Sequence, residues 1–76
     1  MKLLKVFVPK AIRPSGAIVV AASEDWLRDV VNRATAHTTV SLTEMVPVNG
    51  DGSDLTRGST VNLKASLIQG WERVQP

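Results

Sequence analysis

The sequence predicts a small α+β domain in which a single amphipathic helix packs on one face of a sheet of about four strands. The sheet is antiparallel or mixed, and the element order is β-β-α-β-β. Three observations lead there. Residues 2–8 and 39–48 alternate apolar and polar side chains with the period of a strand. Residues 17–22, Ala-Ile-Val-Val-Ala-Ala, form a short β-branched run that is apolar on both faces. Residues 23 to about 36 carry apolar side chains at helical spacing behind a capping serine.

In the first strand Leu4, Val6 and Val8 point one way, and Leu3, Lys5 and Phe7 the other. Pro9 closes it. Arg13-Pro14-Ser15-Gly16 places proline second and glycine fourth, which suits a type I turn. The run after it reads as a central strand covered on both sides. In the helix Ser23 is the N-cap, and Glu24 and Asp25 stand in the first turn, where the helix dipole favours anions. Leu27, Val30, Val31 and Ala34 share one stripe, Trp26 lies beside it, and Glu24–Arg28 and Asp29–Arg33 are i,i+4 ion pairs. In the third strand Val40, Leu42, Val46 and Val48 are expected inward. Glu44 interrupts that face and Pro47 lacks an amide donor, so an edge position is predicted. Residues 49–54, Asn-Gly-Asp-Gly-Ser-Asp, open a loop expected to reach about residue 59. The tail fits two patterns: Val61, Leu63, Ala65 and Leu67 alternate as in a strand, whereas Leu63, Leu67, Trp71 and Val74 share a helical arc. Gly70 disfavours the helix, so a strand over residues 60–68 and an irregular end carrying Trp71 are expected.

Seventy-six residues make one domain with a modest core. Domains of this size usually add a disulfide, a metal or a second subunit. The chain has no cysteine and one histidine, which removes disulfides and thiolate metal sites and leaves oligomerisation. The apolar fraction of 43% is that of a folded protein, and no apolar run reaches bilayer-spanning length. The apolar start is broken by Lys5 and stopped by Pro9, short of a secretory signal core, so a cytoplasmic location is expected.

Catalytic and ligand motifs fail on inspection. Counted from Asn49, the sixth and twelfth positions of a calcium loop hold Asp54 and Thr60 instead of glycine and glutamate. His37 has no nucleophile elbow to serve, and a lone histidine near a helix C-terminus suits the dipole. No phosphate-cradling glycine loop occurs. No catalytic residue, metal ligand or cofactor is therefore expected.

Charge is uneven although the net value is only +2. Residues 1–22 carry Lys2, Lys5, Lys10 and Arg13 without one acid, an arrangement that attracts nucleic acid or an acidic protein surface and is also ordinary decoration of solvated strands. Trp26 and Trp71 either seal the rim of the core or supply an interface anchor. One helix covers one face of a sheet. The second strand is apolar on both faces, and Leu3, Phe7 and Ile12 add apolar groups beyond the core face, so either the tail or another chain is expected to cover the second face.

The order strand, strand, Ala-Ala-Ser-Glu-Asp-Trp-Leu opening a helix, then strand, resembles very small phage proteins that bind and inhibit host machinery, among them short inhibitors of bacterial RNA polymerase. The resemblance covers residues 17–48 and lies in size and arrangement. The basic N-terminal segment departs from it, and no functional residue carries over. It implies a phage-type interaction protein.

The expected function is a non-enzymatic module that occupies a surface on a host protein. Its expected contacts are the basic strand pair (Lys5, Lys10, Arg13), the loop (Asp51, Asp54, Arg57) and Trp71 as an anchor. A homodimer through the uncovered sheet face is a second expectation, and nucleic-acid binding through the basic end is the alternative function.

Overall fold

The computed structural model describes residues 3–48 and 55–74. Five strands, one α-helix and one 3-10 turn follow in the order β1 (Leu3–Phe7), β2 (Ala17–Ala21), α1 (Glu24–Arg33), β3 (Thr39–Pro47), β4 (Leu55–Lys64), the turn Ala65–Leu67, and β5 (Gly70–Arg73). All strand pairs are antiparallel and the sheet order is β4-β3-β2-β1-β5. The class is α+β, with five strands where four were expected.

Geometry requires this sheet to curl. Laid flat, four strand spacings would separate the edge strands by about 19 Å, whereas residues 65–69, the first three of them in a 3-10 turn, reach about 16 Å. The connection is pinned at both ends: the Ala65 amide donates to the Thr38 carbonyl at 2.9 Å, and the Gln69 amide to the Phe7 carbonyl at 2.8 Å. The sheet therefore wraps around its core. β3 meets β2 in register at Val20↔Glu44.

The inner side holds the core: Leu4, Val6 and Val8, Ile18 and Val20, Val40 and Leu42, Leu63, Ala65 and Ile68, closed by Leu27 of α1. Leu27 is the one fully buried helix residue, and Val30, Val31 and Ala34 are half-buried against the same cluster. Ser23 caps the helix as expected, its hydroxyl accepting from the Trp26 amide at 3.4 Å. The expected Glu24–Arg28 and Asp29–Arg33 pairs are present at 3.7 and 2.9 Å. The helix ends at Arg33 rather than near residue 36. The Thr38 hydroxyl accepts from the Thr35 amide at 2.9 Å and the Thr35 hydroxyl from the His37 amide at 3.2 Å, so these side chains hold residues 35–38 in a turn. His37 sits exposed in that turn, not on the helix.

The β1–β2 turn forms as expected: the Gly16 amide donates to the Arg13 carbonyl at 2.8 Å, and Gly16 has φ +78°, a conformation that glycine adopts without strain.

Four further expectations are corrected. β3 is an interior strand between β2 and β4, not an edge, because Arg13 reaches Glu44 at 3.0 Å and Pro47 stands at the strand's last position. Its buried positions are Val40, Leu42 and Met45, while Val46 is half-buried and Val48 is 59% exposed. Residues 55–59 belong to β4 rather than to a loop: beyond the pair Met45↔Arg57 the register shifts by one, so that Gly58 and Ser59 bulge opposite Glu44. A Cβ on Gly58 would stand 2.9 Å from Val46 Cγ1 and 3.1 Å from the Glu44 carbonyl, so a side chain there requires its neighbours to shift. Finally, the tail breaks at Ala65 and returns as β5 along β1. It extends the edge of the sheet and does not cross its second face.

Candidate functional site

Strand alternation and register assign every sheet residue to the inner or the outer side. Among the described residues the covering elements all lie inside, since Leu27, Ala65, Ile68 and the loop residue Ile12 join the inner cluster. The outer side carries three rows on β5, β1 and β2. Leu3 pairs with Ala21, Lys5 lies between Val19 and Glu72, and Phe7 lies between Ala17 and Gly70. The Val20↔Glu44 register carried one residue further sets Val19 beside Met45, and Met45 pairs with Arg57. One transverse row thus runs across all five strands: Glu72, Lys5, Val19, Met45, Arg57. It is anionic at one end, cationic at two points and apolar between them. With strands about 4.8 Å apart, Lys5 and Arg57 are separated by about 14 Å.

Lys5 is exposed, and its ammonium stands 5.7 Å from the centre of the Phe7 ring, within cation–π range. Its stem therefore lies along the apolar strip. Leu3, Phe7, Ala17, Val19 and Ala21 are each half-buried, and Met45 is buried outside the inner cluster. Of the remaining outer positions of the β3–β4 hairpin, the pair Pro47 and Leu55 is apolar, and the pairs Thr39 and Lys64, Ser41 and Asn62, and Thr43 and Thr60 are polar. The Ser41 hydroxyl donates to Asn62 Oδ1 at 2.6 Å.

The other residues expected at the site fall elsewhere. Lys10 is exposed in the β1–β2 loop. Arg13, in the same loop, is committed to Glu44 and to the Ile12 carbonyl, at 3.0 and 3.1 Å. Asp51 and Asp54 lie outside the described residues. Trp71 pairs with Val6, hence faces inward, and packs half-buried against the core. Its indole N–H donates to Glu24 Oε2 at 3.2 Å. The structure therefore brings Lys5 and Arg57 into one row and separates them from Trp71.

Glu24 is a structural centre that sequence reading missed. Beyond its place at the helix N-terminus, its carboxylate accepts from Arg73 Nε and Nη2 at 3.0 and 2.8 Å, and from Trp71. The Arg73 hydrogen bonds hold the Glu24 carboxyl below the ordinary glutamate value, opposed by partial desolvation and helped by the Trp71 bond. This carboxylate clamps β5 to the helix. Arg73 lies 49 residues away, and its partner could be found only through the fold. Trp26, 44% exposed on the helix, is the more accessible tryptophan.

The chain matches no family model, no curated protein and no solved structure. No helix of the described residues is long and apolar enough to cross a membrane.

Proposed function

We propose that the protein is a non-enzymatic interaction module that works in the cytoplasm by seating its outer sheet face on an acidic surface of another protein. The observation that carries this reading is the row Glu72, Lys5, Val19, Met45, Arg57, which sets two cations about an apolar centre on the side where no described helix or turn packs. Met45 itself is buried, so half-buried Val19, with Leu3 and Phe7 beside it, offers the apolar contact. Apolar contact supplies affinity, and the flanking charges select an acidic partner and speed encounter. The small size, and the resemblance of residues 17–48 to phage proteins that inhibit host machinery, support a phage-encoded inhibitor or modulator of a host protein. Lys10 at the neighbouring loop widens the basic contact.

Affinity capture from a nuclease-treated host lysate tests the reading. A discrete protein held in stoichiometric amount is the expected result, and beads that retain none overturn it. The second reading, nucleic-acid binding, is favoured by the exposed outer positions Lys5, Arg57 and Lys64. It requires binding to random DNA or RNA that weakens steeply with salt. Failure to bind either at low salt ends it.

A further inference from the structure

We infer that the free edge of β4 pairs with the same edge of a second copy, joining two curled sheets into one continuous sheet and leaving both outer faces open. The inference rests on the backbone and stands apart from the outer-face reading.

β4 is the last strand of the sheet, ten residues long, and among the described residues pairs only with β3. The Ala65 amide donates to the Thr38 carbonyl, which makes that pair a hydrogen-bonded one. Antiparallel ladders alternate bonded and non-bonded pairs, so Lys64, Asn62 and Thr60, opposite Thr39, Ser41 and Thr43, turn their amides and carbonyls away from β3. The 2.6 Å Ser41–Asn62 side-chain bond agrees, because side chains approach most closely at non-bonded pairs. Three donors and three acceptors thus line an edge that no described residue pairs with.

Unpaired edges are normally blunted by bulges, charges or proline. Here the bulge at Gly58 and Ser59 and the Arg57 side chain guard only the half of β4 next to residues 49–54. The half from Thr60 to Lys64 is regular, contains no proline, and carries its single charge at the end.

That half is complementary to itself. A two-fold axis at Asn62 pairs Asn62 with Asn62, Thr60 with Lys64, and Val61 with Leu63 of the second copy. All six outward backbone groups of each chain are then satisfied, apolar meets apolar on the inner side, and no like charges stand opposite each other. The regular segment ends where the 3-10 turn begins, so the overlap closes on itself and does not grow into a fibre. Self-association is also the staple that a cysteine-free domain of this length has left.

Sedimentation or light scattering of the whole chain, from micromolar to millimolar concentration, should show a doubling of the 8.2 kDa mass. Asn62→Pro deletes an outward amide and leaves the β3–β4 ladder bonds in place, so it should give a monomer with an unchanged circular dichroism spectrum. In the wild type, amide exchange at Thr60, Asn62 and Lys64 should slow as concentration rises, while Val61 and Leu63 stay protected throughout. This readout stands even if the proline variant does not fold. A short bis-maleimide should join Asn62→Cys chains and not Lys5→Cys chains. A mass that stays at 8.2 kDa overturns the inference. So does a dimer that leaves the Asn62 amide exchanging at the monomer rate, or one joined through Lys5→Cys, which would place the contact on the outer face.

Discussion

Removing the Leu27 side chain tests how the helix is held. Leu27 is 0% exposed and is the only helix residue wholly inside the core, where it belongs to the inner cluster with the buried residues of β1 to β4. Truncation to alanine forfeits the transfer of three carbons and leaves a void, a loss of about 3 kcal/mol within the ~2–5 kcal/mol seen for buried leucines. A domain of this length holds about 4–11 kcal/mol in total, so Leu27→Ala removes a large share. The melting temperature should fall by roughly 12–24 °C. Val30→Ala and Val31→Ala, at half-buried positions, should each cost about 1 kcal/mol. Urea unfolding followed by tryptophan fluorescence and by circular dichroism measures all three, provided the two signals coincide. If Leu27→Ala costs under about 1 kcal/mol, or no more than the valine variants, the helix is not held through this residue and the packing argument fails.

Three further substitutions probe separate features. Glu24 has a lowered folded pKa because Arg73 holds its carboxylate, so its stabilisation is present above the ordinary glutamate value of 4.5 and is lost as pH falls through the lower folded value. Glu24→Gln should therefore be less stable than wild type at neutral pH, and urea midpoints of the two should converge below pH 4.5. Arg13→Ala should cost about 1 kcal/mol by stranding a partly buried Glu44, and less in a Glu44→Gln background; a double-mutant cycle reads the difference. Gly58→Ala should cost about 1–3 kcal/mol, since the added methyl meets the immovable Glu44 carbonyl as well as Val46; an unchanged urea midpoint would show that the bulge relaxes.

The sequence shows its local structure clearly and its long-range structure poorly. β1, β2, the turn at Gly16 and the capped helix each carry a local signal, and each forms there, although the helix stops at Arg33, short of residue 36. β5 does not announce itself, because Gly-Trp-Glu-Arg is too short to alternate and is a strand only by pairing with β1. The first half of β4 is hidden for a related reason: its side chains are exposed or half-buried and its bulge breaks the period. Glu44 read as an edge signal because its partner Arg13 is 31 residues away. At the candidate site, Lys5 and Arg57 were legible as exposed cations, but their common row depends on three strand registers that no local pattern encodes. Trp71 was legible as a large aromatic, whereas its inward direction follows from pairing with Val6.

The claim that the outer row binds a partner protein is tested most directly by repeating the nuclease-treated capture with two variants. Lys5→Glu combined with Arg57→Glu reverses both cations of the row, while Arg33→Gln alters an exposed charge on the helix. The account predicts that wild type and Arg33→Gln retain the same protein and that the reversed variant, folded by circular dichroism, loses it. Retention unchanged by the reversal, or lost equally in Arg33→Gln, would contradict it.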